Sequence, residues 1–444
     1  MRPTNSTAAS RLIFVIERKV PARKSWRNFP VSSMGLPSDD AVVIQKGKVS
    51  GDPHVITVNC PDKTGLGCDI CRIILEFGLY IAKGDISTDG RWCYIVLWVV
   101  PSVWFHYCKP TCPPSSPVYL LKFFCLDRKG LLHDVTQVLC ELELTIQRVK
   151  VTMTPDGRVL DLFFITDNME LLHTKQRQDE TCEQLHAVLG ESCISCELQL
   201  AGPEYEYNHG VSSLSPVVAE ELFRSELSEK ESRSQALSPD MTKLKKANVI
   251  IDNSLSPAHT LLQIHCVNHK GLLYDIMRTL KDCNMQVCIC ILRHNCPGFL
   301  ALTRKIGLHS NIGYRDLDLF IQQKDGKKIV DPEKQSALCS RLKEEMLHPL
   351  RAIITDRGPD TELLVANPVE LCGKGRPRVF YDVTLAVKVL GICIFSAEIG
   401  RYSTADREWE LYRFLLDEKC RFQLSNMVAR EHIVDRVRRA LMGW

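Results

Sequence analysis

Apolar residues along this chain recur with two periods, and the same switch between them returns several times. Residues 54–74 (HVITVNCPDKTGLGCDICRII), 118–139 (VYLLKFFCLDRKGLLHDVTQVL) and 260–280 (TLLQIHCVNHKGLLYDIMRTL) share one pattern. Each opens with an apolar run that ends in cysteine, crosses a short polar turn to a glycine, and continues with apolar positions three and four apart. The first part predicts a strand and the second an amphipathic helix. The glycines are Gly65, Gly130 and Gly271, with Asp62, Asp127 and Asn268 three residues earlier and Asp69, Asp134 and Asp275 four residues later. One such match would carry little weight; three in register predict tandem copies. A degenerate fourth copy starts at 361, where 361–371 reads as a strand and Val379-Phe-Tyr-Asp-Val-Thr echoes the helix start with Asp382 in the place of Asp134. Arg378 falls where its glycine should be.

The segments beyond each helix repeat as well. Asp89-Gly90 and Asp156-Gly157 sit between alternating runs and predict hairpin turns. In the second copy Lys175–Leu189 reads as a helix and Cys193–Leu200 as a last strand. The third copy has an equivalent helix near 332–346 and a strand at 350–355, and the fourth has a helix at Met427–Met442. The repeat is therefore βαββαβ, and the fold class is α+β, built of tandem ferredoxin-like sandwiches of roughly 65–80 residues. A lone sandwich leaves sheet edge and surface uncovered, so such repeats are expected to pair, within the chain or between chains.

These patterns divide the chain into a basic extension at 1–33, repeat 1 at 54–105, repeat 2 at 118–201, a linker at 202–257, repeat 3 at 258–356 and repeat 4 at 361–444. The linker is rich in Ser, Glu and Pro, with one short helix in 217–229, and reads as a flexible spacer. Repeat 1 runs from Pro101 almost directly into repeat 2, with no room for its second helix. In repeat 3 the stretch 287–310 does not read as a glycine-turned hairpin, and the pattern returns at Tyr314.

Composition narrows the picture. Of 444 residues, 45% are apolar and 25% charged, which is a globular balance. The net charge of +3 is uneven: 1–33 holds seven Lys/Arg and one acid, leaving the rest of the chain at −3. That argues against a nucleic-acid footprint on the folded part. Segment 1–33 fits two readings, an organelle transit peptide or a gene-model artefact ahead of a start at Met34. The expected compartment is the cytoplasm or nucleus, or a plastid if the extension is a transit peptide. No apolar run reaches the roughly 18–20 residues of a membrane span. The 20 cysteines lie scattered in strand-like and helix-like runs, as buried reduced thiols would; Cys68-x-x-Cys71 and Cys193-x-x-Cys196 lack the second pair of a zinc site.

A βαββαβ repeat with Asp-x-x-Gly-Leu between its first strand and helix resembles the ACT domain. The order of repeats, the stretch 357–370 and the ending Ala440-Leu-Met-Gly-Trp resemble the plant ACR (ACT-domain repeat) proteins over about 34–444. The resemblance implies a non-catalytic sensor or regulator that binds a free amino acid and signals through domain packing. It also implies a regulated enzyme or self-association as partner, no nucleic acid, no membrane and no cofactor. Related ACT pairs end the bacterial uridylyltransferase that senses glutamine, which makes glutamine the first amino acid to consider.

The residues add their own reason to look at the loops. A glycine there permits a tight turn and close approach of a ligand. The helix N-terminus behind it offers unpaired N–H groups to a carboxylate, and Asp62 or Asp127 could meet an ammonium group. The candidate ligand-binding residues are Asp62, Gly65 and Leu66, Asp127, Gly130 and Leu131, and Asn268, Gly271 and Leu272. Asn268 keeps a hydrogen bond but loses the charge, and repeat 4 reads as structural. Turn and cap chemistry alone would explain the same residues, which leaves open a protein-interaction scaffold without a ligand. His133-Asp134 resembles a metal-hydrolase dipeptide but is more simply a helix start, and no phosphate-loop, zinc-protease or nucleophile-elbow motif is present. The acids of Asp161-Leu-Phe and Asp316-Leu-Asp318 alternate on strands and are expected to face solvent.

Overall fold

The structure, a computed structural model, describes residues 16, 41–47, 52–101, 117–154, 158–167, 171–202, 213–223, 247–294, 313–370, 373, 375–417 and 426–443. In chain order the elements are β1 (Val42–Gln45), β2 (His54–Pro61), α1 (Leu66–Glu76), β3 (Leu79–Thr88), β4 (Trp92–Pro101), β5 (Tyr119–Leu126), α2 (Leu131–Glu141), β6 (Leu144–Met153), β7 (Arg158–Asp167), α3 (Lys175–Leu189) and β8 (Cys193–Leu200). They continue with α4 (Pro216–Phe223), β9 (Asn248–Asp252), β10 (Thr260–Val267), α5 (Leu272–Asp282), β11 (Met285–His294), β12 (Tyr314–Gln323) and α6 (Pro332–Leu347). The last are β13 (Arg351–Arg357), β14 (Asp360–Pro368), α7 (Val379–Leu390), β15 (Ile394–Ser403), β16 (Glu408–Leu416) and α8 (Met427–Met442).

The repeats pair out of order. One compact unit takes 1–105 with 229–349, joining repeats 1 and 3; the other takes 106–228 with 350–443, joining repeats 2 and 4. The first unit holds an eight-stranded sheet in the order β1-β2-β4-β3-β11-β12-β10-β9, and the second one in the order β13-β14-β16-β15-β6-β7-β5-β8. Each is two four-stranded sheets joined through the edge strands that follow each repeat's first helix, β3 to β11 and β15 to β6, both antiparallel. Joining two edges removes the unpaired backbone that a lone sandwich would expose.

The outer strands depart from the βαββαβ order. Among the described residues, only repeat 2 is closed by a strand that follows its second helix, β8 on β5. In repeats 1, 3 and 4 the outer strand comes first, as β1, β9 and β13. The strand expected to end repeat 3 exists as β13, but it pairs with β14 in the second unit. Gly358 and Pro359 alone separate the two strands, and Gly358 takes a positive φ of +65°, so a tight hairpin captures β13. The end of the stretch read as a spacer, β9, fills the vacant edge of repeat 3.

Within the same stretch, α4 lays Leu222 and Phe223 on the sheet of repeat 4, against Leu364, Ala366, Trp409 and Leu411. The start of the atypical stretch in repeat 3 is β11, paired along β12 with one bulge; 295–312 lie outside the described residues. No described helix follows β4, and 102–116 also lie outside them, as does the Asp156-Gly157 turn. Ile16, the one described residue of 1–33, is fully buried in the first unit's core.

Strand alternation decides which side chains reach the helices. In β5 Tyr119, Leu121, Phe123 and Cys125 are buried while their neighbours are not. Each fully buried Leu, Ile or Phe contributes about 1.5–3 kcal/mol. Cys60, Cys125 and Cys266 occupy such inward positions, and burial pushes each thiol up to about 12. No disulfide joins the described cysteines.

Candidate functional site

Each glycine loop ends in a left-handed residue that opens the helix. Gly65, Gly130 and Gly271 have φ of +81°, +78° and +80°, and none gives its helix a side-chain cap. An L-residue in this conformation costs roughly 1–2 kcal/mol. Repeat 4 nevertheless holds Arg378 there at φ +66°. The first N–H of each helix, on Leu66, Leu131 and Leu272, is bonded to the carbonyl of Lys63, Arg128 and His269, so a carboxylate would meet the turn behind it, where the helix dipole is still positive.

In each unit the start of one repeat's helix meets the end of the other's. A Cβ on Gly65 would stand 3.1 Å from Lys281 Cε, and Lys281 Nζ lies 3.8 Å from Asp69. Likewise a Cβ on Gly130 would stand 2.9 Å from Lys388 Cδ, and Lys388 Nζ donates to Asp134 at 2.5 Å. A cavity of about 20 Å³ lies under the Gly130 loop, lined among others by Asp127, His133, Asp161, Thr384 and Lys388. One of about 30 Å³ lies under the Gly271 loop, beside Leu75, Tyr80, Asn268 and His269. Spaces of this size hold a water molecule or two.

The candidate residues separate into different roles. Asp62 is engaged in its own turn, accepting from Thr88 Oγ1 at 2.7 Å and from the Lys63 N–H at 2.8 Å. Leu66, Leu131 and Leu272 turn their side chains into the cores, and their backbone N–H groups are engaged within their own turns. Asn268 is buried at the Gly271 cavity, and its backbone N–H donates to the Gly313 carbonyl. Asp127 lines the Gly130 cavity, where burial raises its carboxyl. For Asp134, burial alone would act upward, but hydrogen bonds from Lys388 and Arg128 hold it below the ordinary carboxylate range. His133 packs against Thr384 and Tyr381, and burial, with Lys388 and Arg378 adding to it, lowers its pKa to about 4.

Asp161 overturns an expectation. Asp316 and Asp318 are half-exposed as alternation suggests, but Asp161 is 1% exposed and lies in the inward row of β7 with Val159, Phe163 and Ile165. The strand is apolar on both faces, so alternation alone does not say which face is buried. Strand pairing does: Phe123, seven residues before Gly130, stands opposite Asp161. The same offset from Gly65 and Gly271 leads to Ile95 and Leu317, and the matching bulge of β15 leads to Tyr412. Neither Asp161 oxygen has a hydrogen-bond partner among the described residues. Burial holds its carboxyl far above the ordinary range, and nearby Asp127 adds to this.

Known proteins share this arrangement of sequence. Residues 361–443 match the family described as ACT domain-containing protein ACR9, C-terminal; 248–360 match ACR9-like, ACT-like domain; and 44–110 match ACT domain-containing protein ACR10, N-terminal. The ACT domain-containing protein ACR9 of Arabidopsis thaliana is 57% identical over 437 residues, covering 93% of this chain and 100% of that protein. The chain belongs to the plant ACT-domain repeat family. A second Arabidopsis member, ACR10, is 47% identical with the same coverage. A bifunctional uridylyltransferase/uridylyl-removing enzyme of Gluconobacter oxydans is 22% identical over 243 residues, 53% of this chain and 20% of that enzyme.

ACT domains are commonly regulatory modules that bind amino acids. In this ACT-repeat chain no described cluster of three or more His, Cys, Asp or Glu is arranged to hold a metal, and no described helix is long and apolar enough to cross a membrane. Of Cys193-x-x-Cys196, Cys196 instead meets Cys182, with their sulfurs 3.4 Å apart.

Proposed function

We propose that this chain is a non-catalytic regulator that binds a free amino acid at the glycine loops of its ACT repeats and signals through the packing of paired repeats. The carrying observation is the uncapped helix start behind a left-handed glycine, set against the lysine-bearing end of the neighbouring repeat's helix at Gly65 and Gly130. A free amino acid carries the two charges such a place can answer, a carboxylate for helix N–H groups and an ammonium for an acid. Occupancy would shift the balance between packings of the two repeats, and that altered surface would be read by a regulated enzyme or a second copy. The compartment proposed is the cytoplasm or nucleus, or a plastid if 1–33 is a transit peptide.

Calorimetric titration of the full chain with each free amino acid, glutamine first, tests this reading. Saturable heat is expected, and Gly130→Val should abolish it while circular dichroism shows the protein still folded. Valine combines a left-handed φ with a Cβ pressed on Lys388, so about 2 kcal/mol of stability should go with it. A second reading, a protein-interaction scaffold, draws on the small cavities and on Asp62 being satisfied inside its own turn. Absence of heat with every amino acid from a folded protein would select it.

A further inference from the structure

One sheet position beneath the loops is filled four ways. Ile95 and Leu317 fill it with hydrocarbon in repeats 1 and 3. In repeat 4 Tyr412 fills it, donating its hydroxyl to Glu410 at 2.7 Å, and Asn367 ties the same carboxylate to the Arg376 backbone. Repeat 2 places Asp161 there, 1% exposed and unpartnered among the described residues, at the cavity it shares with Asp127, Gly130, Thr384 and Lys388. Buried carboxyls in folded proteins are almost always hydrogen-bonded, and one left open at a cavity beside a helix start marks a place for a missing partner.

We infer that Asp161 is the amine-recognising residue of the Gly130 site: a ligand with a primary ammonium group enters under the loop and pairs that group with the Asp161 carboxylate. This rests on the amino-acid reading above and narrows it to one of the three glycine loops and to ligands that keep their α-amino group. Of the cations lining the cavity, Lys388 is already engaged with Asp134, and Arg128 also pairs with Asp134, at 2.6 Å. Those two contacts leave the carboxyl beneath to a charge brought from outside. The cavity as it stands admits water rather than an amino acid, and its movable wall is the half-exposed Lys388 chain lying across Gly130. Ligand entry therefore swings Lys388 outward.

Pairing also moves a proton. Burial and Asp127 keep the free carboxyl protonated well above the ordinary range. The groups facing it are Cys125 in β5, Asp127, Arg128 and His133 around the loop and the start of α2, Lys388 in α7 and Cys393 just after it. An arriving ammonium favours the carboxylate, so the acid O–H bond breaks, its proton leaves to solvent, and the ion pair forms. Affinity then rises with pH until the free carboxyl ionises by itself.

Calorimetry of the full chain with the twenty amino acids, in buffers of different ionisation enthalpy, tests the assignment. For any amino acid that binds, net proton release is expected, shrinking as pH rises through the range where the free carboxyl ionises by itself. Asp161→Asn, which keeps shape and fold, should weaken binding at least about thirty-fold and abolish the proton release. The ligand's analogue without its α-amino group should give no heat with the native protein. Heat that is lost in Gly130→Val yet unchanged in Asp161→Asn, or that the deaminated analogue reproduces, would overturn the role of Asp161 and leave the amino-acid reading standing. No heat from any amino acid would overturn both.

Discussion

The two units follow one plan and differ in the charge they bury where their paired helices meet the sheet. In the first, at the seam where α1 packs on α5, buried Arg72 lies beside Glu76 at 3.0 Å, and buried Arg278 of α5 pairs with Glu345 of α6 at 2.6 Å. Tyr274 adds its hydroxyl to Arg72. Under that seam the sheet offers Ile95 and Leu317. In the second, the seam between α2 and α7 holds His133 against Thr384 and Tyr381, and the charge-bearing group lies beneath, in Asp161. A buried ion pair is explained by its own geometry; a buried acid without one asks for something that the folded chain does not supply.

Exchanging the residues at that sheet position tests the contrast most severely. Leu317→Asp would remove a buried leucine and leave an unpaired carboxyl in a dry core, so the first unit should lose about 4 kcal/mol or more. Asp161→Leu should do the reverse and stabilise the second unit by about 1–3 kcal/mol. Urea unfolding, followed by a probe in each unit because two units need not unfold together, reads both. If Asp161→Leu instead unfolds the second unit, Asp161 serves the fold and the contrast fails.

Much of this was legible in sequence because the signals were local. The turn, the glycine and the apolar period of the helix lie within some twenty residues of one another, and they placed α3, β8 and α8 at their observed ends. Even the lapse at Arg378 could be read, since the left-handed position stays fixed while the residue changes. Pairing was not legible. Which repeat joins which, and that β13 crosses to the second unit, depends on edge-to-edge contacts far apart in the chain. Asp161 was misplaced for a related reason: in Arg158–Asp167 both faces are apolar, so only the partner strand shows which face is inside. Counting back seven residues from Gly130 to Phe123 and across to β7 would have found it.

His133 gives a smaller difference between the units, since Cys68 and Tyr274 hold its position in the first. Its pKa falls from an ordinary 6.5 to about 4, so between these values the unfolded chain takes up a proton that the folded one refuses. Stability is therefore full above about pH 6.5 and is lost as pH falls toward 4, by up to about 3 kcal/mol. Thermal unfolding at a series of pH values should show this loss in the second unit, and His133→Tyr, which copies repeat 3, should flatten it. An unchanged acid limb between pH 6.5 and 4 in that variant would show that His133 does not carry the loss, since Asp134, whose pKa is lowered, acts in the same direction only at lower pH.

The smallest effect concerns the one loop that lost its glycine. Arg378 keeps φ at +66° against the preference of any side chain with a Cβ, while its guanidinium lies over the Tyr381 ring, 4.6 Å from the centroid. Arg378→Gly would relieve roughly 1–2 kcal/mol of backbone strain. It would also give back about 0.5–1 kcal/mol through a more flexible unfolded chain, and lose a stacking contact of about the same size. The net should lie within about 0.5 kcal/mol of zero, readable as a shift in the second unit's urea midpoint. Gly130→Arg, the matching change in repeat 2, gains no such balance, because its Cβ would press on the Lys388 chain. A clear loss in both variants would mean that the stacked guanidinium, rather than tolerance of the turn, fixes this loop, and that repeat 4 has exchanged a ligand's place for a contact of its own.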